Sequence, residues 1–315
     1  MEERLQALLD LAVRMKASDI HLTGRGEDMK IEMRIGGVMR EVKTEAGDQR
    51  LIPYLQYLAG LDVGALSKPQ TGQFEAEAGG QLLSLRFALI SSLGFSSGVL
   101  RILNNELVTD AAHLSLLKSQ NDHFKSLLRE RNGLILFSGA TGSGKTTALY
   151  ALLKEAKGKK IYTVEDPIEI YREELVQLQI NEAIGFHYSE AIKQVLRHDP
   201  DILMIGEIRD EKAAFGALRA ANTGHLVLSS IHASSAALCI SRMCELGVPE
   251  GALYDVLKTV SCQSLEVLKN GRKAVFYEIM DGKELAYYRR YHRHSVSFLS
   301  LDTQLKAARE GGHLA

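Results

Sequence analysis

The chain has 315 residues, 45% of them hydrophobic and 24% charged, with 38 Lys+Arg against 39 Asp+Glu for a formal net charge of −1. At roughly 100–200 residues per domain the length fits about two domains, and the composition excludes a disordered or fibrous chain. A balance this close to zero argues against a protein whose main work is coating nucleic acid or an anionic membrane.

Residues 1–16 predict an amphipathic helix with Leu5, Leu8, Leu9, Ala12 and Met15 on one face, ending at Ala17-Ser18-Asp19. Its acidic start (Glu2, Glu3) is unlike a signal peptide. Strands are expected over 20–22, 31–35 and 38–42, the last two joined by Gly36-Gly37. A short helix over 50–61 follows, then strands over 83–89 and 98–103. The polar stretch 104–109 is the expected linker. Beyond it, Leu134 to Phe137, Ile161 to Val164, Ile202 to Ile205 and Leu226 to Ser229 are continuous apolar runs alternating with helices. Such runs suit a parallel sheet buried on both faces. A last helix is expected over 302–309, before Gly311-Gly312. The expected organisation is therefore an α+β domain over 1–105 and an α/β domain over 110–315. No stretch approaches the ~18 apolar residues of a membrane span. Three cysteines, Cys239, Cys244 and Cys262, form no Cys-x-x-Cys pair. They read as a reducing compartment, so the expected location is cytoplasmic, with any membrane association made through a partner.

The strongest chemical signal is Gly139-Ala140-Thr141-Gly142-Ser143-Gly144-Lys145-Thr146, followed by Thr147. It satisfies G-x-x-x-x-G-K-[ST] between a strand and a helix, the context this phosphate-cradling loop requires. Its glycines let backbone N–H groups turn toward phosphate oxygens, and the helix N-terminus adds partial positive charge. Lys145 is then suited to the β- and γ-phosphates and the Thr146 hydroxyl to Mg²⁺. A second apolar run ends at Gly206-Glu207, placing an acid where it can polarise a water, either the attacking one or one on Mg²⁺. Thr163-Val164-Glu165-Asp166-Pro167 sets two carboxylates at another strand end, and His225 and His232 bracket a third strand. Read alone, the carboxylates also fit a strand-end cap and the histidines fit core partners.

All four elements in this order resemble the secretion ATPases of type II secretion, type IV pili and DNA-uptake machines. In that family the corresponding segments are a Walker A loop (139–146), an acidic Asp box (163–169), a Gly-Glu Walker B (202–210) and a His box (223–232). Ala17-Ser18-Asp19-Ile20-His21-Leu22, Ser84-Leu85-Arg86 and Val99-Leu100-Arg101 resemble its N-terminal motifs. The resemblance covers roughly residues 1–280. It implies a RecA-like P-loop domain, a smaller PAS-like α+β N-terminal domain, and a homo-hexamer that binds ATP and Mg²⁺ between domains. It further implies roles for Glu165 and Glu207 around water and metal, for His232 as a γ-phosphate sensor, and for Arg86 and Arg101 as arginines reaching the nucleotide. Asp166, His225 and Arg209 are further candidates on the same basis. A guanidinium suits such a role because it stays charged and binds phosphate bidentately.

Within that family the chain departs from the assembly ATPases. It shows no four-cysteine zinc module, so no zinc is expected, and no separate domain is expected before the Ala17-Ser18-Asp19-Ile20-His21 region. Residues 178–185, 196–201 and 231–234 resemble the compact ComG-type competence ATPases of Gram-positive bacteria. The implied function is a motor driving a competence pseudopilus for DNA uptake, acting on an inner-membrane platform protein and only indirectly on the pseudopilins. A retraction ATPase or a type II secretion ATPase is the alternative, and a nucleotide-switched interaction protein with little hydrolysis is the rival of another class. Direct nucleic-acid binding is not expected. The basic and aromatic stretch 287–294 is open to three readings: base stacking, docking on a membrane partner, or a solvated edge strand.

Overall fold

Leu5, Leu8, Leu9 and Ala12 form the buried face of α1 (Glu2–Met15). The computed structural model describes residues 1–26, 28–65, 68–92, 94–103, 111–181 and 185–314, so the predicted linker over 104–109 lies outside the described residues. The chain divides into two units, Met1–Glu106 with Glu169–Tyr171, and Leu107–Ile168 with Arg172–Ala315. The fold as a whole is mixed α/β.

In the first unit α1 stops one residue earlier than the sequence suggests. Lys16 takes the left-handed conformation (φ 53°), and its N–H closes on the Ala12 and Val13 carbonyls. Ala17, Ser18 and Asp19 therefore begin β1 (Ala17–Arg25) and do not end the helix. Next come β2 (Asp28–Ile35), β3 (Val38–Val42), α2 (Leu51–Leu58), β4 (Gln70–Ala78), β5 (Gln81–Ser92) and β6 (Phe95–Leu103). Gly36 and Gly37 both have positive φ (58° and 87°), as a tight two-residue hairpin demands. The antiparallel sheet runs β3-β2-β1-β6-β5-β4. Ile20, Leu22, Leu85, Phe87 and Leu100 turn inward onto the same core as the helices. β4 is absent from the sequence prediction because it is an edge strand that buries little more than Ala78, so no apolar alternation announces it.

Arg4 clamps this unit. Its Nε and Nη2 meet the Asp48 carboxylate at 2.9 and 3.0 Å, and Nη2 also donates to the Lys43 carbonyl. Burial pushes the Asp48 carboxyl up, but the hydrogen bonds from Arg4 and the Glu45 N–H and the Arg4 charge outweigh it and hold it below its ordinary value of 3.8. Asp19 is likewise depressed: burial raises it, and hydrogen bonds from Arg101 and Ser18 with nearby positive charge lower it further. A depressed carboxyl contributes stability that is present above pH 3.8 and lost as pH falls through the folded value. Asp48→Asn should therefore cost about 1.5–3 kcal/mol at pH 7 and flatten the acid limb of the stability curve, measurable by urea melts across pH 2–6.

In the second unit β7 (Gly133–Ser138), β8 (Ile161–Glu165), β10 (Ile202–Ile205) and β11 (Leu226–Ile231) are buried along their whole length. The remaining strands are β9 (Val176–Gln179), β12 (Leu257–Val267) and β13 (Lys273–Met280), giving the order β13-β12-β7-β11-β10-β8-β9. β7, β11, β10, β8 and β9 are mutually parallel, β12 joins β7 in parallel, and only β13 runs antiparallel. The helices are α3 (Lys118–Leu127), α4 (Lys145–Glu155), α5 (Tyr188–Val195), α6 (Glu211–Asn222), α7 (Ala236–Glu245), α8 (Glu250–Val256), α9 (Gly282–Tyr291) and α10 (Leu301–Glu310). β12 escapes the apolar pattern because Thr259, Ser261 and Gln263 are buried within it. Most of their polar groups are matched: Ser138 Oγ donates to the Ser261 carbonyl, Ser261 Oγ to the Leu136 carbonyl, and Thr259 Oγ1 lies 3.0 Å from His123 Nε2, whereas Gln263 Oε1 has no hydrogen-bond partner among the described residues.

The basic and aromatic stretch is a correction to the edge-strand reading, since its first half is the end of α9. Its rings are engaged within the unit. His294 stacks on Phe298 with centroids 3.8 Å apart, and Tyr288 lies 5.1 Å from His294. Arg289 covers the Tyr254 ring and meets Asp255 at 3.4 Å.

Candidate nucleotide site

Parallel strands end on one side, so the loops after β7, β11, β10 and β8 share the C-terminal edge of the sheet. In α/β folds that edge is where ligands bind. In strand order they carry residues 139–146, His232, Glu207 and Glu165. The four segments singled out in the sequence are thus placed side by side by topology alone.

The Gly-rich loop turns sharply at Gly139 (φ 136°), Gly142 (φ 79°) and Gly144 (φ 91°), the last being the N-cap of α4. A Cβ on Gly139 would lie 2.4 Å from the Gln263 carbonyl oxygen, so only glycine fits there. Lys145 is buried, and its Nζ donates to the carbonyls of Gly139 and Ala140 at 2.9 and 3.0 Å. Gln263 on β12 donates from Nε2 to the Ser143 carbonyl at 2.7 Å, pinning the loop from behind. Ala140, Thr141 and Gly142 are exposed, and Thr146 and Thr147 are half-buried in the first turn of α4.

Glu165, the last residue of β8, is 2% exposed. Its Oε1 accepts from Tyr150 Oη at 2.7 Å, Thr163 Oγ1 at 2.6 Å and Gln177 Nε2 at 3.4 Å. Gly206 leaves room for it, since a Cβ there would sit 3.2 Å from Glu165 Cγ. Glu207 is more open and is held from two sides. His232 Nε2 lies 3.0 Å from Oε1, while Arg209 Nε and Nη2 each reach Oε2 at 2.8 Å. The hydrogen bond to Glu207 raises the Arg209 guanidinium above its ordinary value. Asp166 is exposed beside this cluster. Tyr188 opens α5 next to the acids: burial, then the Asp166 charge, push its hydroxyl far above the ordinary range, with Glu165 and Glu207 adding and Arg209 opposing.

His225 is not brought to this edge. It precedes β11, and the six residues of that strand at roughly 3.3 Å each put it ~20 Å from His232. Its Nδ1 instead lies 3.2 Å from the Ala220 carbonyl and from Thr223 Oγ1. Arg86 and Arg101 are in the first unit, directly opposite each other on β5 and β6. Arg101 Nε donates to Asp19 Oδ1 at 2.7 Å, so Asp19 aims it. Among the described residues no group of three or more His, Cys, Asp or Glu could hold a metal. Sequence reading missed Tyr150, Gln177, Tyr188 and Gln263 because nothing in their spacing marks them. Each enters the site from an element that only the tertiary pairing brings near.

The profile of the family described as type II/IV secretion system protein matches residues 1–293. Competence protein ComGA of Halalkalibacterium halodurans is 37% identical over 302 residues, covering 88% of this chain and 86% of that one. ComGA of Bacillus subtilis is 34% identical over 308 residues, covering 90% and 86%. The solved pilus retraction motor PilT with bound ADP superposes with a TM-score of 0.77 at 24% identity, over 99% of this chain and 94% of that one, a likeness of fold. With a Gly-rich phosphate loop, two strand-end glutamates and a strand-end histidine on one sheet edge, and with that match over nearly its whole length, the chain belongs to the type II/IV secretion system protein family.

Proposed function

We propose that the chain is an Mg²⁺-dependent ATPase motor that works as a homo-hexamer and drives assembly of a competence pseudopilus for DNA uptake. The observation that carries the reading is Glu207, a half-buried carboxylate fixed by His232 and Arg209 on the same sheet edge as the Gly-rich loop. A carboxylate so held can orient a water toward a γ-phosphate, and phosphoryl transfer depends mostly on such positioning. Lys145 exchanges its bonds to the loop carbonyls for phosphate oxygens. Glu165 keeps a second acid in place through Tyr150 and Thr163. His232 senses the γ-phosphate through its contact with Glu207. The donor set suits Mg²⁺: the Thr146 hydroxyl would hold the ion directly and the Glu207 carboxylate through a water, and the ion would supply charge neutralisation at the phosphates.

In this proposal a PAS-like domain over 1–105 presents Arg86 and Arg101 to nucleotide, and a RecA-like domain over 110–315 binds it. The relatives named as competence proteins support the pseudopilus assignment over retraction or type II secretion. No described helix is long and apolar enough to cross a membrane. The proposed place of action is the cytoplasmic face, through an inner-membrane platform protein. Phosphate release and light-scattering mass, measured together on the purified chain with ATP and Mg²⁺, test the proposal. Turnover by a hexamer is the expected result. Tight ATP binding with no phosphate release would replace it with the switch reading.

A further inference from the structure

Glu278 on β13 is a buried carboxylate, 4% exposed, that makes no ion pair among the described residues. An uncompensated buried charge is costly, so its surroundings must offset it. They do so with backbone. Oε1 accepts the Ala236 N–H at 2.5 Å and Oε2 accepts the Leu301 N–H at 3.0 Å. These are the first residues of α7 and α10, and helix N-termini present free N–H groups and partial positive charge. Neither helix needs Glu278 as its cap. Ser235 already accepts from Leu238 N, and Ser300 from Thr303 N. What Glu278 adds is a bridge between two helix starts that are remote in sequence.

One end of that bridge is close to the nucleotide site. Only Ala233, Ser234 and Ser235 separate His232 from Ala236, and Cys262, paired opposite Glu278 across β12 and β13, has its Sγ 3.7 Å from the Ala233 carbonyl. His232 in turn reaches Glu207 at 3.0 Å. We infer that Glu278 is a positioning residue for His232 and that it ties the placement of that ring to the start of α10. A displacement of α10 is thereby felt at the carboxylate that orients the water. The turnover half of this rests on the proposed ATPase function; the mechanical half does not.

The test uses the full chain and two variants, read by amide hydrogen exchange and by steady-state kinetics. Glu278→Gln keeps the shape but turns an NH₂ toward one of the two N–H groups. It should raise exchange over 233–236 and 301–304 together. It should also lower kcat about ten- to a hundredfold with KM within about twofold, as expected when a reacting geometry is displaced and binding is not. Leu301→Pro removes one donor where proline is tolerated, at the first helical position after an extended Ser300 (ψ 157°). Exchange over 233–236 should rise in this variant as well. Protection of 233–236 that stays at the wild-type level while α10 loosens overturns the bridge. So does a Glu278→Gln enzyme whose kcat per folded molecule is unchanged. A wild-type chain that releases no phosphate would sink the proposed function, and the exchange measurements would still decide the coupling.

Discussion

Glu207→Gln is expected to bind ATP within about threefold of the parent chain while its kcat falls by ~10²–10³. The amide has the same shape: its oxygen can still accept from Arg209, while its NH₂ can face only a His232 Nε2 that carries no proton. What disappears is the negative charge that, in the proposed role, accepts a hydrogen bond from water and holds it in line. Single-turnover phosphate release with mant-ATP affinity on the same sample separates the two quantities. Equal losses in both would mean that the side chain serves binding, and undiminished release would remove Glu207 from the chemistry.

Gly139→Ala should be strongly damaging. The added methyl would meet the Gln263 carbonyl oxygen at 2.4 Å and Ser143 Oγ at 2.8 Å, on a backbone with φ 136°. The first neighbour is backbone of the adjacent strand and cannot swing aside. Left-handed strain and overpacking together should cost about 2–6 kcal/mol. Because Gln263 also pins the Ser143 carbonyl, relief of the clash moves the loop itself, so nucleotide affinity should fall with stability. Urea unfolding with ADP titration checks both. Gly142→Ala is the internal control: its Cβ meets nothing within 4 Å, so only the φ of 79° resists it.

The parallel sheet was legible because burial on both faces leaves β7, β8, β10 and β11 largely apolar sequence, and the runs mark their ends with a glycine, an acid or, for β11, a histidine. β12 and β9 were not, for opposite reasons. β12 buries hydroxyls and an amide whose partners come from β7 and the Gly-rich loop, so its interior looks like surface. β9 is an edge strand whose residues are half-exposed. At the site, the strand-end residues were visible and their holders were not. Tyr150 and Gln177 meet at Glu165 from α4 and β9, and no local period links them. His225 and His232 look equivalent in sequence, and only the length of the strand between them shows that they occupy opposite edges.

The order of strands also constrains how the protein can be made. β7, which leads into the Gly-rich loop, is flanked by β11 and β12. On a ribosome its hydrogen-bonding edges stay unmatched until residue 226 and then residue 257 have emerged, and the anchor at Gln263 comes later still. Pairings this distant along the chain form slowly and expose an apolar strand meanwhile. A nascent chain halted before Gln263 would therefore carry the whole phosphate-loop sequence without the strand that anchors it. The ability to hold nucleotide should appear late and abruptly in synthesis, once β12 has docked.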